Sequence, residues 1–116
     1  MINVYGIKNC DTVRKALKWL DAEGLEHTFH DFRQDGLEQA KVNAWVEALG
    51  WESVLNKRST TWKQLDENQK NGLDKASSVD LMVEAPTLIK RPIFEVNGLV
   101  LNGFTPAVQA QLSEKD

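Results

Sequence analysis

The feature that most constrains the fold is an Asn-Gly pair between two apolar runs near the C-terminal end. Asn97 and Gly98 separate residues 93–96 from residues 99–101. Both residue types adopt the positive φ angles of a two-residue type I′ turn, so the pattern predicts a tight β-hairpin. Thr105-Pro106 then predicts the start of a terminal helix, with Thr as N-cap and Pro at the first helical position. This part of the chain is therefore expected to be β-β-α.

The first third of the chain predicts a β-α-β unit. A short strand over residues 2–5 ends at Gly6, and a break follows at Lys8 and Asn9. A helix begins at about residues 10–12, and its apolar residues follow the helical spacing i, i+3, i+4, i+7: Val13, Ala16, Leu17 and Leu20. Gly24 suits the position just after that helix, and residues 27–32 predict a second strand.

The middle of the chain is predicted to be helical. One apolar stripe consists of Val42, Trp45, Val46 and Leu49. Thr61 is expected to open a short helix through a capping box with Gln64, and Ser77 or Ser78 to cap another that Pro86 ends.

A β-α-β unit and a β-β-α unit that share one sheet give the layout of the thioredoxin-like fold. The sequence therefore predicts a single α/β domain over residues 1–116, with a four-stranded mixed sheet and an all-helical block inserted at about residues 36–86.

Charge and cysteine content limit the possible partners and location. A formal net charge of −3 argues against nucleic acid and anionic membranes as partners. The sequence has one cysteine, no secretion signal and no apolar run of about 18 residues that could span a membrane. We therefore expect a cytoplasmic protein, and nothing in the sequence requires more than a monomer.

The lone cysteine, Cys10, falls between the first strand and the first helix. The start of a helix carries partial positive charge, which favours the reactive thiolate. The alternative is a small buried apolar residue, which is the commoner fate of a free cysteine. Because Val13 stands where a Cys-x-x-Cys motif needs its second cysteine, any redox cycle requires an outside thiol such as glutathione. A metal site is not expected: there are too few thiolates, and His27 and His30 fall on opposite faces of a strand.

Cationic residues near Pro92 suggest an anion-binding site. In the thioredoxin layout this proline faces the cysteine and is commonly cis. Arg91 precedes it, and Lys8 and Arg58 are further candidate cations. The alternative for each is an ordinary solvated surface charge.

Several separate motifs resemble the ArsC/Spx family, in that family's order and over nearly the full chain. They are YGIKNCDT at residues 5–12, DFR at 31–33, GW at 50–51, RSTTW at 58–62 and KRPI at 90–93. The resemblance is greatest to the YffB branch. It implies a thioredoxin-like fold with a helical insertion, a nucleophilic Cys10 and an anion-contacting Arg91 beside a cis Pro92. Lys8, Asn9, Arg58 and Pro92 complete the residues expected to bind glutathione or another anion.

The resemblance leaves three functions open. The first is a glutathione-dependent thiol reductase that has glutathione as co-substrate and no bound cofactor. The second is an arsenate reductase that depends on glutathione and glutaredoxin. Those enzymes use three arginines, of which Arg91 matches one, Arg58 lies two positions from the second, and Gly103 replaces the third. The third is an Spx-like protein that binds a transcription partner without turnover, because Arg58 resembles an arginine of that branch.

Overall fold

The computed structural model describes residues 1–115, and its element order is β-α-β, a run of helices, then β-β-α. The four strands are β1 (Ile2–Gly6), β2 (His27–Asp31), β3 (Ile93–Val96) and β4 (Leu99–Asn102). The helices are α1 (Asp11–Ala22), α2 (Phe32–Asp35), α3 (Gln39–Leu49), α4 (Trp51–Val54), α5 (Thr60–Gln64), α6 (Glu67–Lys70), α7 (Lys75–Glu84) and α8 (Pro106–Lys115), with a short 3-10 helix at Pro86–Leu88.

The strands form one mixed sheet in the order β2-β1-β3-β4. β1 pairs in parallel with β2, whereas β3 is antiparallel to both β1 and β4. The predicted thioredoxin-like α/β fold with its four-stranded mixed sheet is therefore confirmed. One detail was wrong: β2 ends at Asp31, and Phe32, predicted to be its last residue, begins α2.

The hairpin and the terminal helix follow the local sequence signals. Asn97 and Gly98 have φ angles of 48° and 81°, so both adopt the left-handed conformation that the turn between β3 and β4 needs. The Thr105 hydroxyl accepts a hydrogen bond of 3.2 Å from the Val108 backbone N–H and so caps α8. Both predictions are confirmed.

The chain divides into two compact units. The sheet unit comprises residues 1–36 and those from Arg91 onwards, and the helical unit comprises Leu37–Lys90. In the sheet unit, one side of α1, one side of α8 and one face of the sheet form an apolar core of Ile2, Val4, Ala16, Leu20, Phe94, Val96, Leu101, Val108 and Leu112. This core fixes the strand ends from which the candidate site residues project.

The helical unit has buried apolar residues of its own, chiefly on α3 and α7. They include Val42, Trp45, Val46, Val79 and Met82. The predicted caps in this unit were wrong. Asp74, not Ser77 or Ser78, is the N-cap of α7, and Ser59, not Thr61, is the N-cap of α5.

Candidate active site

Three strand ends meet at one end of the sheet because of their relative directions. β1 and β2 are parallel, so Gly6 and Asp31 lie opposite each other where both strands end. β3 is antiparallel to β1, so it begins at this same end, with Ile93 opposite Tyr5. The topology therefore brings together the turn that leads to Cys10, the side chain of Asp31 and the Arg91–Pro92 segment.

Cys10 lies at the end of a tight turn and at the start of α1. Its backbone N–H donates to the Ile7 carbonyl at 3.2 Å, and its own carbonyl accepts from the Arg14 N–H at 3.0 Å. Cys10 is the N-cap residue of α1, but its side chain makes no capping hydrogen bond. The residue is only partly buried. The thiol is therefore next to the first helical turn and is not enclosed in the core.

Lys8 and Asn9 form the middle of this turn, and both are exposed. Ile7, just before them, is buried in the sheet unit at 3% exposure. The turn is thus anchored at its start by an apolar side chain, while its two polar residues face solvent beside Cys10.

Asp31 is the site residue that reasoning from the sequence missed. Its side chain is buried, with 6% exposure. One carboxylate oxygen accepts the Lys8 backbone N–H at 3.1 Å, and the other accepts the Arg33 N–H at 2.7 Å. Its position in the DFR motif was the only available signal, since no local pattern indicates that a carboxylate at the end of β2 binds the turn after β1.

Arg91 and Pro92 lie at this end of the sheet, directly before β3. The Arg91–Pro92 peptide bond is cis, and Pro92 is buried. The Pro92 carbonyl accepts a hydrogen bond of 2.9 Å from the Gly103 N–H, which fixes this segment against the end of β4. The Nε atom of Arg91 is buried and has no hydrogen-bond partner within residues 1–115. Because leaving a buried donor unpaired is costly, an acceptor such as an anionic ligand would stabilise it.

Arg58 belongs to the helical unit, whereas the other five predicted site residues belong to the sheet unit. Its side chain is exposed, and its backbone N–H donates to Asn56 Oδ1 at 3.0 Å. A role for Arg58 in anion binding stays a prediction.

Within the described part of the chain, no group of three or more His, Cys, Asp or Glu side chains is arranged to hold a metal ion. The two histidines have other contacts. His27 Nδ1 lies 2.9 Å from the Leu25 carbonyl, and His30 Nε2 lies 3.0 Å from Asn3 Oδ1. Among residues 1–115 there is also no helix with the length and apolar character needed to cross a bilayer.

Comparison with known proteins supports one family across nearly the whole chain. The model of the ArsC family matches residues 5–112. An uncharacterized protein of Haemophilus influenzae is 54% identical over 104 residues, which cover 90% of this chain and 91% of that protein. The regulatory protein MgsR of Bacillus subtilis is 29% identical over 116 residues, with 98% and 91% covered.

Solved structures agree with this match. A YFFB protein superposes with a TM-score of 0.92 at 41% identity, covering 97% of this chain and 98% of the other. An arsenate reductase-related protein of Brucella melitensis superposes with a TM-score of 0.78 at 38% identity, covering 95% and 92%.

Proposed function

Because this chain belongs to the ArsC family, we propose that it is a glutathione-dependent thiol reductase with Cys10 as its nucleophile. The observation that carries the proposal is that two reactive groups lie at the same end of the sheet. Cys10 is a partly buried thiol at the start of α1, and Arg91 has a buried Nε with no partner in the described structure. The first group can attack a disulfide, and the second can bind an anionic substrate.

The first chemical step is a thiol–disulfide exchange. The Cys10 thiolate attacks the glutathione sulfur of a substrate R–S–SG. A bond forms between Cys10 Sγ and that sulfur, the original S–S bond breaks, and R–S⁻ leaves and takes up a proton.

The second step regenerates the enzyme. The thiolate of a second glutathione attacks the glutathione sulfur of the mixed disulfide on Cys10, which releases oxidised glutathione and restores the Cys10 thiolate. The balance is R–S–SG plus GSH giving R–SH plus GSSG, with glutathione as the reductant. An outside thiol is required because the sequence has no second cysteine.

The anionic groups of glutathione suit the cationic residues of this site. We assign a glutathione carboxylate to Arg91, whose guanidinium can make two parallel hydrogen bonds to it. Lys8 and Asn9 are proposed to add polar contacts from the turn, and buried Pro92 to shape the surface beside the thiol. Arg58 is the further arginine proposed for anion binding. We propose a monomer that needs no bound cofactor.

The test is turnover with the mixed disulfide of glutathione and 2-mercaptoethanol, coupled to glutathione reductase so that NADPH oxidation reports GSSG. Wild type should consume NADPH in proportion to enzyme, and Cys10→Ser should lose this activity. Mass spectrometry of wild type should find one glutathione adduct, on Cys10. Equal rates with wild type, with Cys10→Ser and without enzyme would refute the proposal.

Arsenate is the alternative substrate for the same thiol, and the 38% identity to an arsenate reductase-related protein favours testing it. The coupled assay with arsenate, glutathione and added glutaredoxin separates the two functions. Arsenate-dependent NADPH oxidation that is absent in Cys10→Ser would favour this alternative, and its absence would reject it.

A partner-binding regulator without turnover is the second alternative. It is favoured by the match to the regulatory protein MgsR over 98% of this chain. Immobilised wild type and Cys10→Ser should then retain the same transcription protein, and Arg58→Gln should lose it. No retained transcription protein would reject this function.

A further inference from the structure

We infer that Asp31 is a positioning residue that holds the Cys10 turn in the orientation required for disulfide exchange. The structural part of this inference concerns the turn alone. The chemical part rests on the proposed function, because it concerns the direction from which Cys10 approaches a disulfide.

Each of the two carboxylate oxygens of Asp31 accepts a hydrogen bond from a backbone N–H. Its Oδ2 accepts the Lys8 N–H, and its Oδ1 accepts the Arg33 N–H. Its own backbone N–H donates to Asp35 Oδ2 at 3.2 Å, and its backbone lies opposite Gly6 in the sheet. The side chain therefore has one orientation, set by β2 and by the start of α2.

The two hydrogen bonds that the Asp31 carboxylate accepts have different structural effects. The bond to Arg33 caps α2, as expected for Asp at an N-cap. The bond to Lys8 caps no helix, since Lys8 lies in the turn between β1 and α1. It joins residues 23 positions apart in the sequence, and its effect is to fix the turn.

Fixing Lys8 also restricts Cys10. Ile7 is buried, the Lys8 N–H is held by Asp31, and the Cys10 N–H is held by the Ile7 carbonyl. The turn therefore has successive anchor points up to the N-cap of α1. Hydrogen bonds to a charged group are among the stronger ones, and burial makes their loss more costly.

Disulfide exchange depends on orientation more than alkylation by a small reagent does. In the reaction with oxidised glutathione, the Cys10 thiolate forms a bond to one sulfur while the other leaves as glutathione thiolate. The rate therefore depends on how the thiolate is aligned with a bulky substrate. Iodoacetamide is small and neutral, and it reports mainly on exposure and thiolate content.

The experiment compares wild type with Asp31→Asn, Asp31→Ala and Asp74→Ala. Asparagine replaces one of the two carboxylate oxygens by an NH2 donor and removes the charge, so it cannot accept at both positions that Oδ1 and Oδ2 occupy, and alanine accepts at neither. Asp74→Ala is the matched control because it also removes an aspartate N-cap, from α7. Amide exchange at Lys8 and the rates of Cys10 modification by oxidised glutathione and by iodoacetamide are measured where each variant is folded.

We expect Lys8 exchange to be about tenfold faster in the Asp31 variants, while the amides of β1 keep their protection. The ratio of the glutathione rate to the iodoacetamide rate should fall about tenfold, and Asp74→Ala should change neither quantity. Should Asp31→Ala fail to fold, Asp31→Asn decides the result.

An unchanged Lys8 exchange rate, or an unchanged rate ratio, in folded Asp31→Asn would overturn the inference. If wild type forms the mixed disulfide and Asp31→Asn forms it with the same rate ratio, only the role of Asp31 fails. If wild type forms no mixed disulfide at all, the proposed function and the positioning role both fail.

Discussion

Gly6 is a residue whose lack of a side chain is required by its neighbours. A Cβ atom at this position would lie 2.8 Å from Val13 Cγ2, closer than carbon atoms can approach without movement. Glycine therefore lets the end of β1 pack directly against α1, one turn beyond Cys10.

The first prediction concerns this contact. Gly6→Ala should lower the free energy of unfolding by about 1–3 kcal/mol through overpacking. Val13→Ala removes the opposing methyl groups, so the double variant should be more stable than the sum of the two single effects. Urea unfolding of all four proteins measures this coupling, and additive effects would contradict the steric explanation.

The second prediction concerns Arg91. Arg91→Gln should raise the KM for the glutathione mixed disulfide about tenfold or more, because a charge-assisted bond to a carboxylate is lost. The rate of Cys10 alkylation by iodoacetamide should change little, since that reagent is neutral. Arg33→Gln is the matched control, because Arg33 is exposed. Equal KM values for the two variants would remove Arg91 from the binding site.

Among the helices, α7 has a reciprocal cap that makes its stability depend on pH. The Ser77 backbone N–H and then the Ser77 hydroxyl hold the pKa of Asp74 below its ordinary value. The Asp74 backbone N–H donates to Ser77 Oγ at 2.9 Å, which completes the capping box. Because the pKa is lower in the folded protein, the carboxylate stabilises the fold above the unfolded-state pKa, about 3.9 for Asp.

The third prediction follows from the lowered pKa of Asp74 in the folded protein. The stability advantage of wild type over Asp74→Asn should be constant at neutral pH and should decrease as the pH falls below about 4, because Asp74 becomes protonated and Asn does not titrate. Urea unfolding of both proteins from pH 7 to pH 2.5 measures the difference. An advantage that grows on acidification would contradict the assigned pKa direction.

At the scale of the whole molecule, the two compact units have separate sets of buried apolar side chains. Leu20 belongs to the core of the sheet unit, and Met82 is fully buried on α7 in the helical unit. Each unit therefore has contacts of its own that can be weakened selectively.

The fourth prediction concerns substitutions that each weaken the buried apolar contacts of one unit. Met82→Ala should cost about 2–5 kcal/mol of stability and should raise amide exchange more in α3 and α7 than in β1 and β3. Leu20→Ala should give the reverse pattern. Equal increases in both units for both variants would mean that the chain opens only as one cooperative unit.

Local sequence signals predicted the elements whose causes are local. The Asn97-Gly98 turn, the Thr105 cap and the apolar stripe of α1 depend on residues within a few positions of one another, and the structure confirms them. These elements, in that order, were enough to predict the thioredoxin-like sheet. The position of Cys10 between β1 and α1 follows from the same local signals.

Caps were harder to predict because several suitable residues compete. Ser59 and Thr61 both have hydroxyls near the start of α5, and Ser59 caps it while the Thr61 hydroxyl lies 2.6 Å from that of Thr87. The Thr61 hydroxyl therefore contacts a residue 26 positions away in the sequence, which no local pattern indicates.

What the sequence determined alone was the order of the elements, the sheet and the place of the cysteine, because backbone conformation and apolar periodicity are short-range properties. The tertiary structure decided which side chains lie at the same end of the sheet as that cysteine. Asp31 binds the turn at Lys8 only because parallel pairing brings the ends of β1 and β2 together. The Nε atom of Arg91, which has no partner among residues 1–115, is buried only because the fold removes it from water. Burial and long-range hydrogen bonds depend on the whole packed unit, which no local pattern encodes.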